Sequence, residues 1–196
     1  MKVLFVAAMA AGVLLSCNDR DSSQQTATVT DSSNLVNAHP GMEGGNSPSQ
    51  PATADSVSSN FLMKAADGGL AEVMAGQQAQ GKAVNESVKM FAGMMVNDHT
   101  GANGTVKQLA EERQLALPAA PSAEQQRAID AVAQKSGAAF DKAYMDMMVK
   151  DHKKTISLFR EAGGSTNDQP VKAFINETLP RLQVHLDSAV AIQKRL

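Results

Sequence analysis

The length, composition and charge of the chain favour one helical domain and exclude some classes of function. Its 196 residues suffice for a single domain with an appendage, and its formal net charge of −2 argues against a nucleic acid partner. Aromatic residues make up only 4% of the chain, with no tryptophan, so the core must be built from alanine, leucine, valine and methionine. That composition favours close-packed helices over a sheet.

Residues 1–17 are predicted to be a bacterial lipoprotein signal peptide. Lys2 precedes an apolar segment, Val3 to Leu15, that is too short to span a bilayer. The sequence Leu14-Leu15-Ser16-Cys17 then resembles a lipobox, so processing would leave Cys17 as an acylated N-terminus. An ordinary signal peptide with an incidental cysteine is the alternative. The lipid anchor predicts attachment to a membrane of the cell envelope, with the outer membrane favoured and the domain in the periplasm or at the cell surface.

Residues 18–56 are predicted to be a disordered tether, and the helical domain is predicted over residues 57–196. The tether is rich in Ser, Thr, Gln, Asn, Gly and Pro, and it cannot bury enough apolar surface to offset its chain entropy. Helix 1 is expected from about Ser58 to Lys82. Gly68 and Gly69 disfavour a helix, so their presence there suggests that another backbone or a ligand approaches closely.

A six-residue motif occurs twice, and the functional argument depends on it. Met-Met-Val-Asn-Asp-His ends at His99, and Met-Met-Val-Lys-Asp-His ends at His152, an offset of 152 − 99 = 53 residues. Around each copy the apolar residues recur three or four apart, which predicts two long amphipathic helices. Asp98 and His99 would flank the apolar stripe of one helix, as Asp151 and His152 would flank that of the other.

Three further helices complete the predicted fold. Helix 2 is expected from about Glu86 to Gln114, helix 3 in two pieces of about Ala123 to Lys135 and Ala138 to Ala162 with a break at Ser136-Gly137, and helix 4 from about Asp168 to the C-terminus. Short loops between four long helices predict an all-α fold, an up-down-up-down four-helix bundle.

A fourth helix contributes a third histidine to the predicted interior. His185 falls near the centre of the apolar stripe of helix 4. When residues are counted from the turn between helices 3 and 4, His185 is displaced along the bundle from His152 by more than one helical turn. That offset counts against a tight cluster of the histidines.

The polar residues expected inside the bundle suggest either a metal site or a packing device. They are Glu72, Asp98, His99, Asp151, His152 and His185. Buried carboxylates and imidazoles cost several kcal/mol unless they are paired. A divalent transition metal such as Fe, Cu or Zn would satisfy them. Mutual hydrogen bonds that fix the helix register are the alternative, and for Glu72 an ordinary solvated position is another.

The order of these motifs resembles the bacterial domain of unknown function family 4142. The resemblance covers about residues 57–195 and rests on Phe61 to Val73, Val88 to His99, Phe140 to His152, and Thr178-Leu179-Pro180 with His185. It implies a ferritin-like helical bundle in the cell envelope whose biochemical role is not established.

Two features of the sequence differ from what the resemblance implies. Ferritin-like metal proteins use Glu-x-x-His pairs, whereas the acids and histidines here are adjacent. Met74 stands where members of the family often have a second glutamate. Both differences argue against a catalytic di-iron centre.

Two functions therefore remain open at the level of the sequence. One is a lipid-anchored envelope protein that binds a transition metal for storage or stress protection. The other is a non-enzymatic structural or protein-interaction module in which the Asp and His residues only fix the packing. The sequence shows no Ser-His-Asp order, phosphate loop or cofactor fingerprint, so an enzyme is not predicted.

The predicted lipid anchor can be tested by substitution. Cys17→Ser removes the acceptor of the acyl chains, each of whose buried CH₂ groups contributes about 0.8 kcal/mol to membrane binding. We expect this variant to move from the membrane fraction to the soluble fraction. Unchanged fractionation, with no change in the N-terminal mass, would contradict the prediction.

Overall fold

The computed structural model describes residues 55–196, and all regular secondary structure in this range is α-helical. The helices are α1 (Ser56–Lys82), α2 (Glu86–Glu111), α3 (Ala123–Ala133), α4 (Gly137–Ser165) and α5 (Gln169–Gln193). The predicted signal peptide with Cys17, and the predicted tether up to residue 54, lie outside the described residues. Within residues 55–196, none of these helices has the length and apolar character needed to cross a bilayer.

Four long helices form a bundle, and the short α3 lies against its outside. The helix α1 packs against α2 and α4, and α5 packs against the same two helices. The helix α3 contacts α1 and α4. The arrangement confirms the predicted all-α bundle of four long helices.

The predicted up-down-up-down order is wrong. The backbone N–H of Val84, in the α1–α2 turn, donates to Asp141 near the start of α4, while Ser58 near the start of α1 is hydrogen-bonded to Thr166 just after α4. Therefore α1 and α4 are antiparallel, and α2 and α4 run in the same direction. The bundle is up-down-down-up because residues 112–136, including α3, carry the chain back along the whole length of the bundle before α4 begins. A single long crossover of this kind is the connection found in ferritin-like folds.

The predicted break near Ser136-Gly137 is confirmed. The helix α3 ends at Ala133, and α4 begins at Gly137 with φ of 57°. Glycine has no Cβ and adopts this left-handed conformation without strain. Gly137 therefore allows the chain to turn from α3, outside the bundle, into α4.

Gly69 is required where α1 approaches α2. A Cβ atom at this position would overlap the side-chain amide of Asn103 on α2. At Gly68, by contrast, a Cβ would meet no atom within 4 Å. The close approach that the two glycines suggested is therefore at Gly69, and the Asn103 side chain, not a backbone, makes it.

The apolar core is divided into two clusters, one toward each end of the bundle. Phe91, Met95, Tyr144 and Met148 belong to the first, which lies near the α1–α2 turn. The second, near the α4–α5 loop, contains Phe61, Leu62, Val106, Phe159 and Phe174. The polar layer described below lies between the two clusters, since His99 follows Met95 by one helical turn and precedes Val106 by two.

A buried ion pair closes the end of the bundle where α2 stops and α5 starts. The Arg113 side chain is only 1% exposed, and its Nε and Nη2 donate to the two carboxylate oxygens of Asp168 at 2.6 and 2.5 Å. Its Nη1 donates to the Leu109 carbonyl at 2.6 Å. Asp168 also caps α5 by accepting from the backbone N–H of Val171. The pair fixes α5 to α2.

Removal of one charge of this pair should destabilise the bundle. Asp168→Asn keeps a capping side chain but leaves the Arg113 guanidinium with a neutral amide and the exposed Glu112 carboxylate, 3.3 Å from Nη1, so we expect the free energy of unfolding to fall by about 2 kcal/mol in urea denaturation. Glu111→Gln, which removes the exposed 3.6 Å pair with Lys107, is the control and should cost less than about 1 kcal/mol. Equal effects of the two substitutions would show that the buried pair does not hold α5.

Candidate metal centre

Three histidines from three helices converge in the middle of the bundle. His99 on α2, His152 on α4 and His185 on α5 each have a ring nitrogen within 4.8 Å of the corresponding atoms of the other two. Their ring centroids lie 5.6, 5.3 and 5.4 Å apart. All three side chains are buried, with relative exposures of 6%, 0% and 1%.

The expected offset between His152 and His185 is wrong. The helix α4 ends at Ser165 and α5 begins at Gln169, so the three residues between them are extended rather than helical. His152 lies 165 − 152 = 13 residues before the end of α4, and His185 lies 185 − 169 = 16 residues after the start of α5. The remaining difference of three residues is less than one turn, and it lets the rings meet.

In each of the first two rings, one nitrogen lies within hydrogen-bonding distance of an oxygen atom that acts as the acceptor. Nδ1 of His99 lies 3.0 Å from Oε2 of Glu72 on α1. Nδ1 of His152 donates to the carbonyl oxygen of Met148, one turn earlier in α4, at 2.9 Å. A carbonyl oxygen can only accept, so the proton of the neutral His152 ring is on Nδ1 and its lone pair is on Nε2.

The third ring is held by the acid of the first motif copy. Nε2 of His185 lies 2.8 Å from Oδ2 of Asp98, and Oδ1 of Asp98 accepts from Nη1 of Arg181 at 3.2 Å. The carboxylate thus joins α2 to α5. Its partner is not the adjacent His99, because neighbouring residues of a helix point about 100° apart.

The other nitrogen of each ring has no hydrogen-bond partner. These atoms are Nε2 of His99, Nε2 of His152 and Nδ1 of His185, and all three are inaccessible to solvent. A buried polar atom without a partner costs about 1–3 kcal/mol. An imidazole with one nitrogen on a carboxylate or carbonyl and the other free is the arrangement that metal-binding histidines adopt.

Glu72 is the anion of this layer. Its side chain is 5% exposed, with Oε2 on His99 and Oε1 3.5 Å from Nδ1 of His152. Burial would raise the pKa of this carboxyl, but the positive charge available on His99, and to a smaller extent on His152 and His185, lowers it to about 2. Glu72 is therefore ionised over the physiological range.

The three histidines differ in their affinity for protons. Burial lowers the pKa of His185 to about 4, against the opposing effect of Asp98, and burial also lowers the pKa of His152. For His99 burial acts in the same sense, but the charge of Glu72 outweighs it, so the pKa is raised. His152 and His185 are therefore neutral near pH 7, and His99 shares a proton with Glu72 more readily than an ordinary histidine would.

The structure does not bring Asp151 into the three-histidine group. Its side chain is partly buried and, together with Gln125 and Lys154, lines a second cleft between α1, α3 and α4, which reaches the layer only at Glu72. Burial and the charge of Glu72 raise the pKa of its carboxyl. The two copies of the motif thus place their histidines together and their acids on different sides of the bundle.

Some residues of the site were not identified from the sequence. Arg181 holds the outer oxygen of Asp98, and the carbonyl of Met148 orients His152. Tyr144 is fully buried with a hydroxyl that has no hydrogen-bond partner, and burial together with the charge of Glu72 raises its pKa. Tyr144 could have been identified from the sequence because it lies one turn before Met148 on the apolar stripe. Nothing in the sequence pattern pointed to Arg181.

The lowered pKa of His185 predicts acid destabilisation of the metal-free protein. As pH falls from about 6.5 toward 4, the unfolded chain binds a proton at this residue and the folded chain does not, so the free energy of unfolding decreases. His185→Gln cannot titrate. Urea denaturation in chelator between pH 7 and pH 4 should therefore show a larger loss for the unmodified chain, by up to about 3 kcal/mol. Equal losses would contradict the assignment of a neutral, buried His185.

Comparison with known proteins identifies a family but no characterised relative. No curated protein sequence and no solved structure matches the chain significantly. The family model described as a domain of unknown function, DUF4142, matches residues 44–192, which is well over half of the chain and includes the four residues Glu72, His99, His152 and His185. The chain therefore belongs to the DUF4142 family.

Proposed function

We propose that the bundle binds one divalent transition metal ion through His99, His152 and His185. The observation that carries the proposal is the set of three buried ring nitrogens that have no hydrogen-bond partner, on rings whose opposite nitrogens are all held by oxygen atoms. A metal ion would satisfy all three at once. The donor atoms are Nε2 of His99, Nε2 of His152 and Nδ1 of His185.

The spacing of the rings is compatible with such an ion. In a tetrahedral site with metal–nitrogen distances of about 2.0–2.1 Å, the nitrogens are about 3.3 Å apart. One nitrogen of each histidine lies within 4.8 Å of one nitrogen of each of the other two, so the three rings are near the separation that a single ion requires.

The donor set favours particular metals. Imidazole nitrogens suit Zn, Cu, Fe and Ni, whereas Mg, Ca and Mn prefer carboxylate, carbonyl and water oxygens. The nearest carboxylates, Glu72 and Asp98, contact the outer nitrogens of His99 and His185 and would orient these ligands rather than bridge two irons. We therefore propose a mononuclear site for Zn²⁺, Cu²⁺ or Fe²⁺ and not a di-iron centre.

The arrangement favours metal binding over the packing alternative. A device that only fixed helix register would be expected to pair the buried polar atoms with one another. Here the ring nitrogens that face away from the oxygen contacts have no partner, and each such buried atom costs about 1–3 kcal/mol. Together with the lipid anchor proposed at Cys17, the site would hold a metal at the membrane of the cell envelope, in storage or in protection against metal stress.

Metal-dependent stability tests the proposal. Zn²⁺ at about 100 times its dissociation constant should raise the free energy of unfolding of the full chain by about 2.7 kcal/mol. His152→Ala removes one of three ligands and should abolish this increase. His39→Ala, which changes the remaining histidine of the chain and lies outside the described residues, is the matched control and should keep it.

The packing alternative gives the opposite pattern. His99→Ala leaves the buried Glu72 carboxylate without its partner under either hypothesis, so the response to metal, and not the stability of the metal-free chain, separates the two. Under the packing alternative, Zn²⁺, Cu²⁺ and Fe²⁺ would not stabilise the unmodified chain, and elemental analysis of protein purified under metal-replete conditions would find less than one ion for each chain.

A further inference from the structure

A cavity leads from the histidine layer toward the surface between α1, α2 and α5. It has a volume of about 40 Å³. Glu72, His99 and His185 line its buried part, while Lys64 and Arg181 are exposed residues of its lining. Two of the three proposed metal ligands therefore border a space that extends beyond the layer itself.

The cavity adjoins a larger groove on the surface. The groove has a volume of about 340 Å³ and shares Asp98, Ala102, Thr178 and Arg181 with the cavity. The Asp98–Arg181 ion pair stands where the two spaces meet, and the Arg181 side chain is 64% exposed. The exposed side chain of Arg181 and the core residue Phe174 thus border both the cavity and the groove.

Small side chains leave part of the space in the cavity. Ala65, Gly68 and Gly69 of α1 and Ala102 of α2 are among its lining residues. A water molecule requires about 10–15 Å³ of such volume. The volume of about 40 Å³ therefore accommodates about three water-sized groups, which corresponds to a ligand of roughly two to four non-hydrogen atoms.

The charge of the loaded site favours an anion. With three neutral imidazoles, a divalent ion contributes +2, and the carboxylates Glu72, Asp98 and Asp151 contribute −1 each. Lys64 and Arg181 contribute +1 each, so the sum is 2 − 3 + 2 = +1. The layer lies between two apolar clusters, where such a charge is poorly screened. One small anion would neutralise it.

We propose that the metal held by the three histidines keeps one coordination position open toward this cavity, and that a small inorganic anion of two to four non-hydrogen atoms binds there. This inference rests on the proposed metal site. A metal with three protein ligands and an exchangeable fourth position is the arrangement of catalytic rather than structural zinc sites. The alternative is a closed site in which Oε1 of Glu72, which has no hydrogen-bond partner, is the fourth ligand.

Azide binding to the Co²⁺-loaded full chain distinguishes these two arrangements. Azide has three atoms, and its coordination to Co²⁺ changes the visible absorption of the ion. We expect a saturable change on titration with azide, and no change with benzoate, which is too large for the cavity. Because the readout is the absorption of the metal itself, it reports coordination rather than binding elsewhere on the surface.

Variants that fill the cavity provide the structural control. Ala65→Leu on α1 and Ala102→Leu on α2 each add three carbon atoms to the lining, and each should weaken azide binding by roughly tenfold or more while Co²⁺ is still bound. Ala191→Leu makes the same change at an exposed position of α5 and should bind azide like the unmodified chain. Two independent filling variants protect the test against misfolding of one.

The outcomes separate this inference from the proposed function. A chain that takes up none of Co²⁺, Zn²⁺, Cu²⁺ and Fe²⁺ would overturn both proposals. A chain that binds one Co²⁺ but shows no response to azide would overturn only the open position and would favour Glu72 as the fourth ligand. Azide binding that is unchanged in both Ala65→Leu and Ala102→Leu would overturn the assignment of the cavity.

Discussion

The burial of three imidazoles and one carboxylate in a single layer is the constraint on which the rest of the structure depends. Each group must find partners inside the protein, because water does not reach the unpartnered ring nitrogens. The buried groups and their partners come from all four long helices: Glu72 from α1, Asp98 from α2, the Met148 carbonyl from α4 and His185 from α5. A shift of α1, α2 or α5 by a residue would break at least one of these contacts, whereas the His152–Met148 contact lies within α4. The layer therefore fixes the register of α1, α2 and α5.

The up-down-down-up order explains how one motif can be used twice with different results. The helices α2 and α4 run in the same direction and occupy opposite corners, so a rotation about the bundle axis exchanges them and also exchanges α1 with α5. The rotation brings the two motif histidines to the axis from opposite sides. As a result, Asp98 faces α5 and contacts His185 there. Asp151 faces α1, where the residue at the corresponding position is the anion Glu72. Asp151 is therefore repelled where Asp98 is paired.

The helices could be predicted from local sequence patterns. The helix order and the partners of the charged residues could not, because they depend on contacts between residues far apart in the chain. The breaks near Gly137 and after Ser165, and the inward direction of the histidines, follow from glycine positions and apolar spacing. The helix order does not, because it depends on α3 lying along the outside of the bundle. Nor do the partners of Asp98 and Arg113, since Arg181 is 83 residues from the first and Asp168 is 55 residues from the second. Such pairs are selected by packing.

In the proposed metal-bound state, the proton and the metal would compete for the same layer, and the charges favour a third component. Without metal, the proton favoured on His99 balances Glu72, and Arg181 balances Asp98. A divalent ion that displaced the His99 proton would add 2 − 1 = +1. Coordination by Oε1 of Glu72 would not remove this charge, because the negative charge of Glu72 is already included in the sum. The remaining positive charge would lie between two apolar clusters and beside a cavity that admits only small groups. An anion from solvent would restore neutrality without rearranging the helices.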